Sequence, residues 1–337
     1  MQLQQRINAF AQLSSFLSEW SQNLDHPVLQ QAKAHNSWFT ESNLKFALQN
    51  WSEALTLTQL EAWSKDYHFP ENNTPKTIAI VMAGNIPLVG FHDFIAVLMS
   101  GHKVLAKLSS NDKVLLPYLA KELIDLEPEF ANYVQFTEEK LEGFDAVIAT
   151  GSNNTARYFD YYFGKYPHII RKNRNSVAVL NGQESKEQME ALATDVFQYF
   201  GLGCRNVSKI YIPEGYNFDS FFNGMYSWKE IINNNKYINN YDYNKAVYLM
   251  SDIALLDNEF MLLKEDLQFS SPISVVFYER YQDLATLKTR ISESQENIQC
   301  VVSNCGLEGE IAFGEAQTPK LWDYADGVDT LKFLLEL

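Results

Sequence analysis

Short apolar runs rich in β-branched residues alternate with amphipathic stretches through much of this 337-residue chain. Three such runs are TIAIVMA (77–83), HKVLAKL (102–108) and DAVIATG (145–151). The stretches IPLVGFHDFIAVLMSG (86–101) and NDKVLLPYLAKELIDL (111–126) lie between them and have helical periodicity. This alternation predicts right-handed β-α-β units and a mostly parallel sheet.

A second alternation follows in the later half of the chain. Its predicted elements are a strand at 176–182, a helix at 185–203, and strands at 207–213, 272–279 and 298–304. The chain is long enough for two domains, each with its own core. The sequence therefore predicts two α/β domains with parallel sheets.

Helical spacing of apolar residues also predicts helices within 1–68, before the breaker-rich FPENNTP at 69–75. The asparagine-rich INNNKYINNYDYN (232–244) is interpreted as turns or an exposed loop. The predicted organisation is a helical section at 1–74, a first α/β domain at 75–178, a second α/β domain at 179–309, and a tail at 310–337.

Charge and cysteine content restrict the class of protein. The formal net charge of −15 argues against a nucleic-acid binder, which needs a basic face. Three cysteines do not form a disulfide framework, and their spacing and that of the histidines do not suggest a metal site. The first residues lack the apolar core of a signal peptide, and no run approaches the length of a membrane span. We therefore expect a cytoplasmic protein that is not inserted in a membrane.

Two polar residues follow predicted strands of the first domain. Asn85 comes after the first strand and Lys107 ends the second, so both would lie at the carboxyl edge, where α/β proteins bind ligands. The alternatives are that Asn85 caps the next helix, whose first turn would contain Pro87, and that Lys107 is an ordinary solvated lysine.

The segment Thr150, Gly151 and Ser152 joins another predicted strand to a helix. Backbone amides at a helix N-terminus suit a phosphate or a polarised carbonyl, although many strand-to-helix turns look alike. The sequence has neither the G-x-G-x-x-G pattern nor a P-loop lysine pattern.

Cys204 stands in YFGLGCRNVSKIYIP (199–213), between a predicted helix and a strand. Glycines and Arg205 beside it would favour thiolate character, which a nucleophilic cysteine needs. The alternative is a small buried cysteine, and Cys300 and Cys305 are interpreted as structural.

These segments together resemble a known family. The order AGNIP, GHKVLAKLSS, IATGSNNTARY and GLGCRNVSKIYIP is similar to that in the aldehyde dehydrogenase superfamily, and the best resemblance is to its LuxC-type acyl-CoA reductases. The segments NSWFTESNLKFALQNW and FGEAQTPKLWDYADGVDTLKFL also resemble that branch. The resemblance implies an α/β fold of the aldehyde dehydrogenase type with an N-terminal helical section. In that fold 75–178 would be the nucleotide-binding domain and 179–309 the catalytic domain, and the tail at 310–337 would return to the first domain.

The resemblance also implies roles for individual residues. Cys204 matches the nucleophile, and Asn85 matches the amide that stabilises the oxyanion together with the Cys204 N–H. Lys107 matches the lysine that reaches the adenosine ribose. The turn Thr150, Gly151 and Ser152 matches the one near the cofactor's phosphates and nicotinamide, and Gln268 stands where a ribose-binding glutamate is usual.

Two departures from the family pattern bear on chemistry. Arg171 stands where hydrolytic members carry a glutamate base, and a guanidinium cannot act as one. The sequence Lys107-Leu108-Ser109-Ser110 puts Ser110 where a glutamate often binds the ribose hydroxyls, which favours NADPH, with NADH as the alternative and Asp112 close by. The basic cluster at 157–174 suggests that Arg171 and Arg174 contact phosphates of CoA or of the cofactor, the alternative being a solvated basic turn.

The implied activity is NAD(P)H-dependent reduction of an acyl thioester to an aldehyde through an acyl-cysteine. The expected substrate is acyl-CoA or an acyl carrier, and the expected assembly is a homo-oligomer or a complex with an acyl transferase or ligase. The alternative is a non-catalytic subunit of the same fold that binds acyl groups or partner proteins.

Overall fold

The computed structural model describes residues 1–70 and 74–337, and its chain forms two compact units. The first contains residues 1–173 and 320–337, and the second contains residues 174–319. The sequence prediction placed these two boundaries after residues 178 and 309. Residues 71–73, within the predicted break at 69–75, lie outside the described residues.

Four helices open the first unit, as the spacing of apolar residues predicts. They are α1 (Leu3–Gln22), α2 (Pro27–His35), α3 (Glu41–Ala54) and α4 (Leu57–Ser64). The apolar stripe of α1 is buried: Ile7, Phe10, Leu13, Leu17 and Trp20. This stripe shares one core with side chains of the adjoining sheet and its helices, so burial of one amphipathic face stabilises the helical section.

The sheet of the first unit is parallel and has the strand order β3-β2-β1-β4-β5. Its strands are β1 (Thr77–Val81), β2 (Lys103–Lys107), β3 (Val134–Phe136), β4 (Ala146–Thr150) and β5 (His168–Arg171). The helices between them are α5 (Phe91–Met99), α6 (Leu115–Leu126) and α7 (Asn153–Phe163). The order reverses at β1, so chain connections leave in opposite directions from β1 and β4, the arrangement that opens a crevice for a ligand.

The C-terminal tail packs within the first unit. Its last helix is α12 (Thr330–Leu335), with Leu331 and Leu334 buried in the core of that unit. The indole N–H of Trp63 donates to the hydroxyl of Tyr324 at 2.6 Å. Tail residues from 320 onward, rather than from 310, belong to this unit.

The second unit has a six-stranded sheet with the order β11-β6-β7-β10-β9-β8. Its strands are β6 (Asn175–Val179), β7 (Val207–Pro213), β8 (Leu256–Asp257), β9 (Leu262–Glu265), β10 (Val275–Tyr281) and β11 (Ile298–Ser303). The pairs are parallel except β8 with β9. The helices are α8 (Lys186–Phe197), α9 (Asp219–Met225), α10 (Asn235–Met250) and α11 (Leu284–Glu293).

The asparagine-rich segment is helical, so its interpretation as turns or a loop is wrong. Asn234 caps α10, with its side-chain oxygen accepting from the N–H groups of Lys236 and Tyr237. Tyr237, Tyr241 and Asn244 are buried at positions i, i+4 and i+7. Buried tyrosines on one helical face outweigh the low helix propensity of asparagine.

Candidate active site

Three strand ends of the first unit meet at one edge of its sheet. Val81 of β1 pairs with Lys107 of β2, and Val81 also pairs with Ala149 of β4. The segments that follow these strands therefore emerge side by side at the carboxyl edge, as predicted. They carry Asn85 after β1, Lys107 and Ser110 at β2, and Thr150 to Ser152 after β4.

The segment after β1 is a turn that packs closely on the segment after β2. A Cβ at Gly84 would lie 2.6 Å from the Cβ of Ser109, so this approach requires glycine. Asp112 accepts a hydrogen bond from the N–H of Leu88 at 3.0 Å, and burial raises the pKa of its carboxyl to about 6. Asp112 therefore supports this turn from inside.

Helix α5 begins at Phe91, five residues later than the predicted start at residue 86. Leu88 has a left-handed backbone with φ of 58°, which interrupts the helical pattern, and Pro87 lies in the turn before it. Gly90 is the N-cap residue. The alternative reading of Asn85 as the cap of this helix is therefore wrong; Asn85 is exposed in the turn.

Lys107 is half-buried and its Nζ donates to the carbonyl of Glu139 at 2.9 Å. Ser110 is exposed, and its carbonyl accepts from Nε2 of His35 at 2.6 Å. Asn36 also donates to the carbonyl of Asn111 at 3.2 Å. The end of α2 thus supports the 110–111 segment, a long-range contact that local sequence patterns do not reveal.

The turn after β4 has the predicted strand-to-helix form. Thr150 ends β4, and the hydroxyl of Ser152 caps α7 by accepting from the N–H of Thr155 at 3.2 Å. The N–H of Gly151 donates to the carbonyl of Arg171 on the neighbouring strand. The exposed Ser152 therefore lies at a helix N-terminus, where backbone N–H groups favour anionic or polar ligands.

Arg171 is buried inside the first unit, contrary to the prediction that it contacts a CoA phosphate. Its guanidinium forms an ion pair with Asp93 and donates to the hydroxyl of Thr330 at 2.8 Å. Only 5% of Arg171 is exposed. Arg174, in the second unit, donates to the carbonyl of Gln295 at 3.0 Å and is half-buried.

In the second unit, the segments that contain the predicted site residues lie at the amino edge of the sheet. Strands β6, β7 and β10 are neighbours and begin at Asn175, Val207 and Val275. The turn that carries Cys204 leads into β7, and the 266–274 segment that contains Gln268 leads into β10. These two segments therefore lie next to each other.

Of the three cysteines, all within the described residues, Cys204 alone is exposed. It lies in the turn between α8 and β7, so the reading of Cys204 as a buried packing cysteine is wrong. Helix α8 ends at Phe197, before the predicted end at residue 203, because Tyr199 and Phe200 adopt left-handed backbone conformations.

Cys300 lies beneath this turn. Its Sγ is 2.9 Å from the hydroxyl of Ser176, and burial raises the pKa of the thiol to about 11. Cys305 is half-buried, with its N–H bound to the hydroxyl of Ser303. At neutral pH Cys300 is a protonated thiol, which is a poor nucleophile.

A small open cavity of about 50 Å³ lies between the Cys204 turn and the segment before β10. Gly201, Gly203 and Asn206 line it on the side of the turn. Its other walls combine two kinds of side chain, apolar and hydroxyl: Phe197, Phe200, Tyr237, Met261, Ser208, Ser271 and Ser274. Gly203 and Asn206, on either side of Cys204 and Arg205, thus adjoin the same cavity as the apolar side chains.

Two residues of β7 hold the segment that contains Gln268. The Nζ of Lys209 donates to the carbonyl of Leu267 at 2.9 Å and to Glu279 at 2.5 Å, and burial lowers the pKa of this amine. The hydroxyl of Ser208 donates to the carbonyl of Phe269 at 2.7 Å. Gln268 itself is exposed, and its N–H donates to Asp266. In the sequence, the sign of this anchor is a charged residue, Lys209, within the otherwise apolar pattern of the predicted strand in NVSKIYIP.

Within residues 1–70 and 74–337, no cluster of three or more histidine, cysteine, aspartate or glutamate side chains has the arrangement of a metal site. In the same part of the chain, no helix combines the length and the apolar character that crossing a membrane requires.

Solved structures show the same fold. Aldehyde dehydrogenase 21 from Physcomitrella patens, in complex with the reaction product succinate, aligns with a TM-score of 0.73 at 13% identity, over 100% of this chain and 84% of that one. An NAD-dependent benzaldehyde dehydrogenase from Corynebacterium glutamicum aligns with a TM-score of 0.66 at 11% identity, over 90% and 76% of the two chains.

An indole-3-acetaldehyde dehydrogenase from P. syringae, in complex with NAD⁺, aligns with a TM-score of 0.67 at 12% identity, over 94% and 75% of the two chains. The chain matches none of the curated proteins. These likenesses confirm the predicted aldehyde dehydrogenase fold.

The family comparison is more specific. The model of the acyl-CoA reductase (LuxC) family matches residues 12–221, which is more than half of the chain. The matched region contains the turn after β1, the turn after β4 and the turn that bears Cys204. The chain is thus an oxidoreductase of the aldehyde dehydrogenase type, and it belongs to the LuxC family of acyl-CoA reductases.

Proposed function

We propose that this protein reduces an acyl-CoA thioester to the aldehyde through an acyl-thioester on Cys204. The observation that carries the proposal is the exposed Cys204 thiol on a turn whose neighbouring residues line a cavity. Membership of the LuxC family supports the substrate class. We assign the acyl group to the part of the cavity that Phe200 lines.

The proposed acyl transfer is nucleophilic catalysis. The Cys204 thiolate attacks the thioester carbonyl carbon, a new C–S bond forms, and the bond between that carbon and the CoA sulfur breaks. CoA leaves as a thiolate and takes up a proton. The Cys204 N–H is the proposed donor to the oxyanion, and such a donor is typically worth about 3 to 4 kcal/mol of activation free energy.

A nicotinamide cofactor, when bound, would supply the hydride that converts the acyl group to the aldehyde. Lys107, Ser110 and the turn Thr150 to Ser152 are the residues that we propose to hold it, because they share the carboxyl edge at the reversal of strand order. The close packing of Gly84 on Ser109 brings the segments after β1 and β2 into contact at this edge.

The absence of a carboxylate at position 171 supports reduction rather than hydrolysis. Arg171 is buried in its ion pair with Asp93 and cannot take a proton from water. The acyl-enzyme should therefore resist water and persist until it is reduced or until CoA attacks it.

We propose NADPH as the preferred reductant. Ser110 is a neutral hydroxyl beside Lys107, so the 2′-phosphate would not meet a carboxylate at this position. The nearby Asp112 is buried and bonded to the N–H of Leu88, which keeps its carboxylate away from the surface. Two like charges about 4 Å apart cost about 4 kcal/mol at an effective dielectric near 20, which sets an upper limit on the effect of a carboxylate here.

The test is a spectrophotometric assay of nicotinamide oxidation with acyl-CoA substrates of several chain lengths. Wild type should have a higher kcat/KM with NADPH than with NADH, and Ser110→Glu should shift the ratio toward NADH by at least about tenfold. Ser110→Gln is the control, because it adds similar bulk without charge.

A wild-type preference for NADH, or equal shifts in the Glu and Gln variants, would contradict the proposed cofactor. Failure of every acyl-CoA to oxidise either cofactor would contradict the proposed activity and favour the non-catalytic alternative.

A further inference from the structure

The turn between α8 and β7 has a backbone that its sequence alone does not favour. Tyr199, Phe200 and Gly201 have φ angles of 55°, 60° and 75°, three successive left-handed residues of which two are aromatic. Residues with a Cβ rarely adopt this conformation, so surrounding contacts must stabilise it. Cys204 follows only three residues later.

The side chain of Asn206 supplies these contacts on the helix side of the turn. Its Nδ2 lies 3.0 Å from the carbonyl of Asp195, 2.9 Å from that of Gln198 and 3.4 Å from that of Val196. These carbonyls lie at the end of α8, where the helix no longer provides N–H partners. Asn206 is 2% exposed, so water does not compete for these bonds.

The same side chain also holds the segment next to Cys204. The Oδ1 of Asn206 accepts from the N–H of Gly203 at 2.8 Å. From the other side, the hydroxyl of Ser176 on β6 donates to the carbonyl of Cys204 at 3.0 Å. One hydrogen bond therefore fixes the peptide group before Gly203, and another fixes the peptide group after Cys204.

We propose that Asn206 is a positioning residue for Cys204, which fastens the thiol-bearing turn to the end of α8 so that the thiol and the Cys204 N–H keep one orientation toward the acyl carbonyl. The amide is suited to this because it donates to helix carbonyls and accepts from Gly203 at the same time. Ser176 assists by holding the Cys204 carbonyl. This inference rests on the proposed function of Cys204.

The test compares Asn206→Asp and Asn206→Ala with wild type. Single-turnover acylation of Cys204 by acyl-CoA is followed by intact-protein mass spectrometry from pH 5.5 to 8.5. Both variants should acylate at least tenfold more slowly at pH 8, with KM for acyl-CoA changed less than threefold. Asn217→Ala is the control, since the Asn217 side chain is exposed and bonds to Asp219, outside this turn.

The pH dependence separates positioning from a general loss of structure. The ionised carboxylate of Asn206→Asp faces carbonyl oxygens, whereas its protonated form can donate one hydrogen bond to them. The acylation rate of this variant, relative to wild type, should therefore rise as the pH falls. The relative rate of Asn206→Ala should stay flat.

Acylation by both variants at the wild-type rate would overturn the proposal, as would equal pH profiles for the two. If neither variant folds, Ser176→Ala decides: a several-fold slower acylation supports positioning of the turn, and an unchanged rate overturns it. If wild type forms no acyl-enzyme, the proposed function fails first. The rate of Cys204 alkylation by iodoacetamide then tests positioning. Slower alkylation is expected in Asn206→Asp, and an unchanged rate would contradict the positioning role of Asn206.

Discussion

Arg171 lies at the end of β5, where its guanidinium meets the carboxylate of Asp93 from α5 and the hydroxyl of Thr330 from the tail. Removing one partner of a buried ion pair leaves the other charge without compensation in a region of low dielectric constant. This residue therefore connects the sheet, a helix and the C-terminal tail of the first unit. Its position at the end of a strand gave no local sign of that connection.

We predict that Arg171→Ala lowers the free energy of unfolding by about 3 to 5 kcal/mol, because Asp93 then remains buried without its cation. Urea denaturation monitored by circular dichroism measures this loss. Arg174→Ala is the matched control, and it should cost less than about 1 kcal/mol, since Arg174 is partly exposed and donates to a backbone carbonyl. Equal losses in the two variants would contradict a structural role specific to Arg171.

Helix α8 is linked to the segment at 314–316 by a buried carboxyl group. The Oδ2 of Asp195 accepts from the N–H of Gly314 at 2.6 Å, and its Oδ1 accepts from the N–H of Ala316 at 3.0 Å. Burial raises the pKa of Asp195 to about 7 from the ordinary 3.8, although the two N–H donors act in the opposite direction. The folded chain therefore holds this proton more tightly than the unfolded chain.

This shift predicts how stability depends on pH. The contribution of Asp195 is fully present below about pH 4 and is lost as the pH rises through about 7. Between pH 5 and pH 8, the free energy of unfolding should fall by up to about 2.5 kcal/mol through this group. Asp195→Asn, which does not titrate, should lack that part of the decrease in urea denaturation at the two pH values. The same decrease in both proteins would show that another group is responsible.

The ends of helices show where local sequence was insufficient. The spacing of apolar residues correctly indicated α5 and α8, but left-handed Leu88 delays the start of α5 and left-handed Tyr199 ends the helical backbone after α8 earlier than periodicity suggests. Those conformations depend on distant hydrogen bonds, from Leu88 to Asp112 and from Asn206 to α8. The spacing of apolar residues within one segment does not reveal hydrogen bonds that this segment makes to another part of the chain.

At the scale of the whole chain, the alternation of strands and helices was enough to predict two α/β domains, each with a mostly parallel sheet. The tail was expected to return to the first domain because of the family resemblance, and its anchors there include Trp63 with Tyr324. The carboxyl-edge position of Lys107 followed from sequence, whereas the supporting His35 did not, because 75 residues separate His35 from Ser110. The proposed role of Cys204 combines the family resemblance with the exposed position of its thiol.

Acylation of Cys204 is the central claim, and mass spectrometry tests it directly. Wild type and Cys204→Ala are incubated with acyl-CoA in the absence of cofactor, and labelled peptides are identified. We predict one acyl group on Cys204 of wild type, stable in water, and its release as aldehyde when NADPH is added. Equal labelling of Cys204→Ala, or a label on Cys300 or Cys305, would contradict the account.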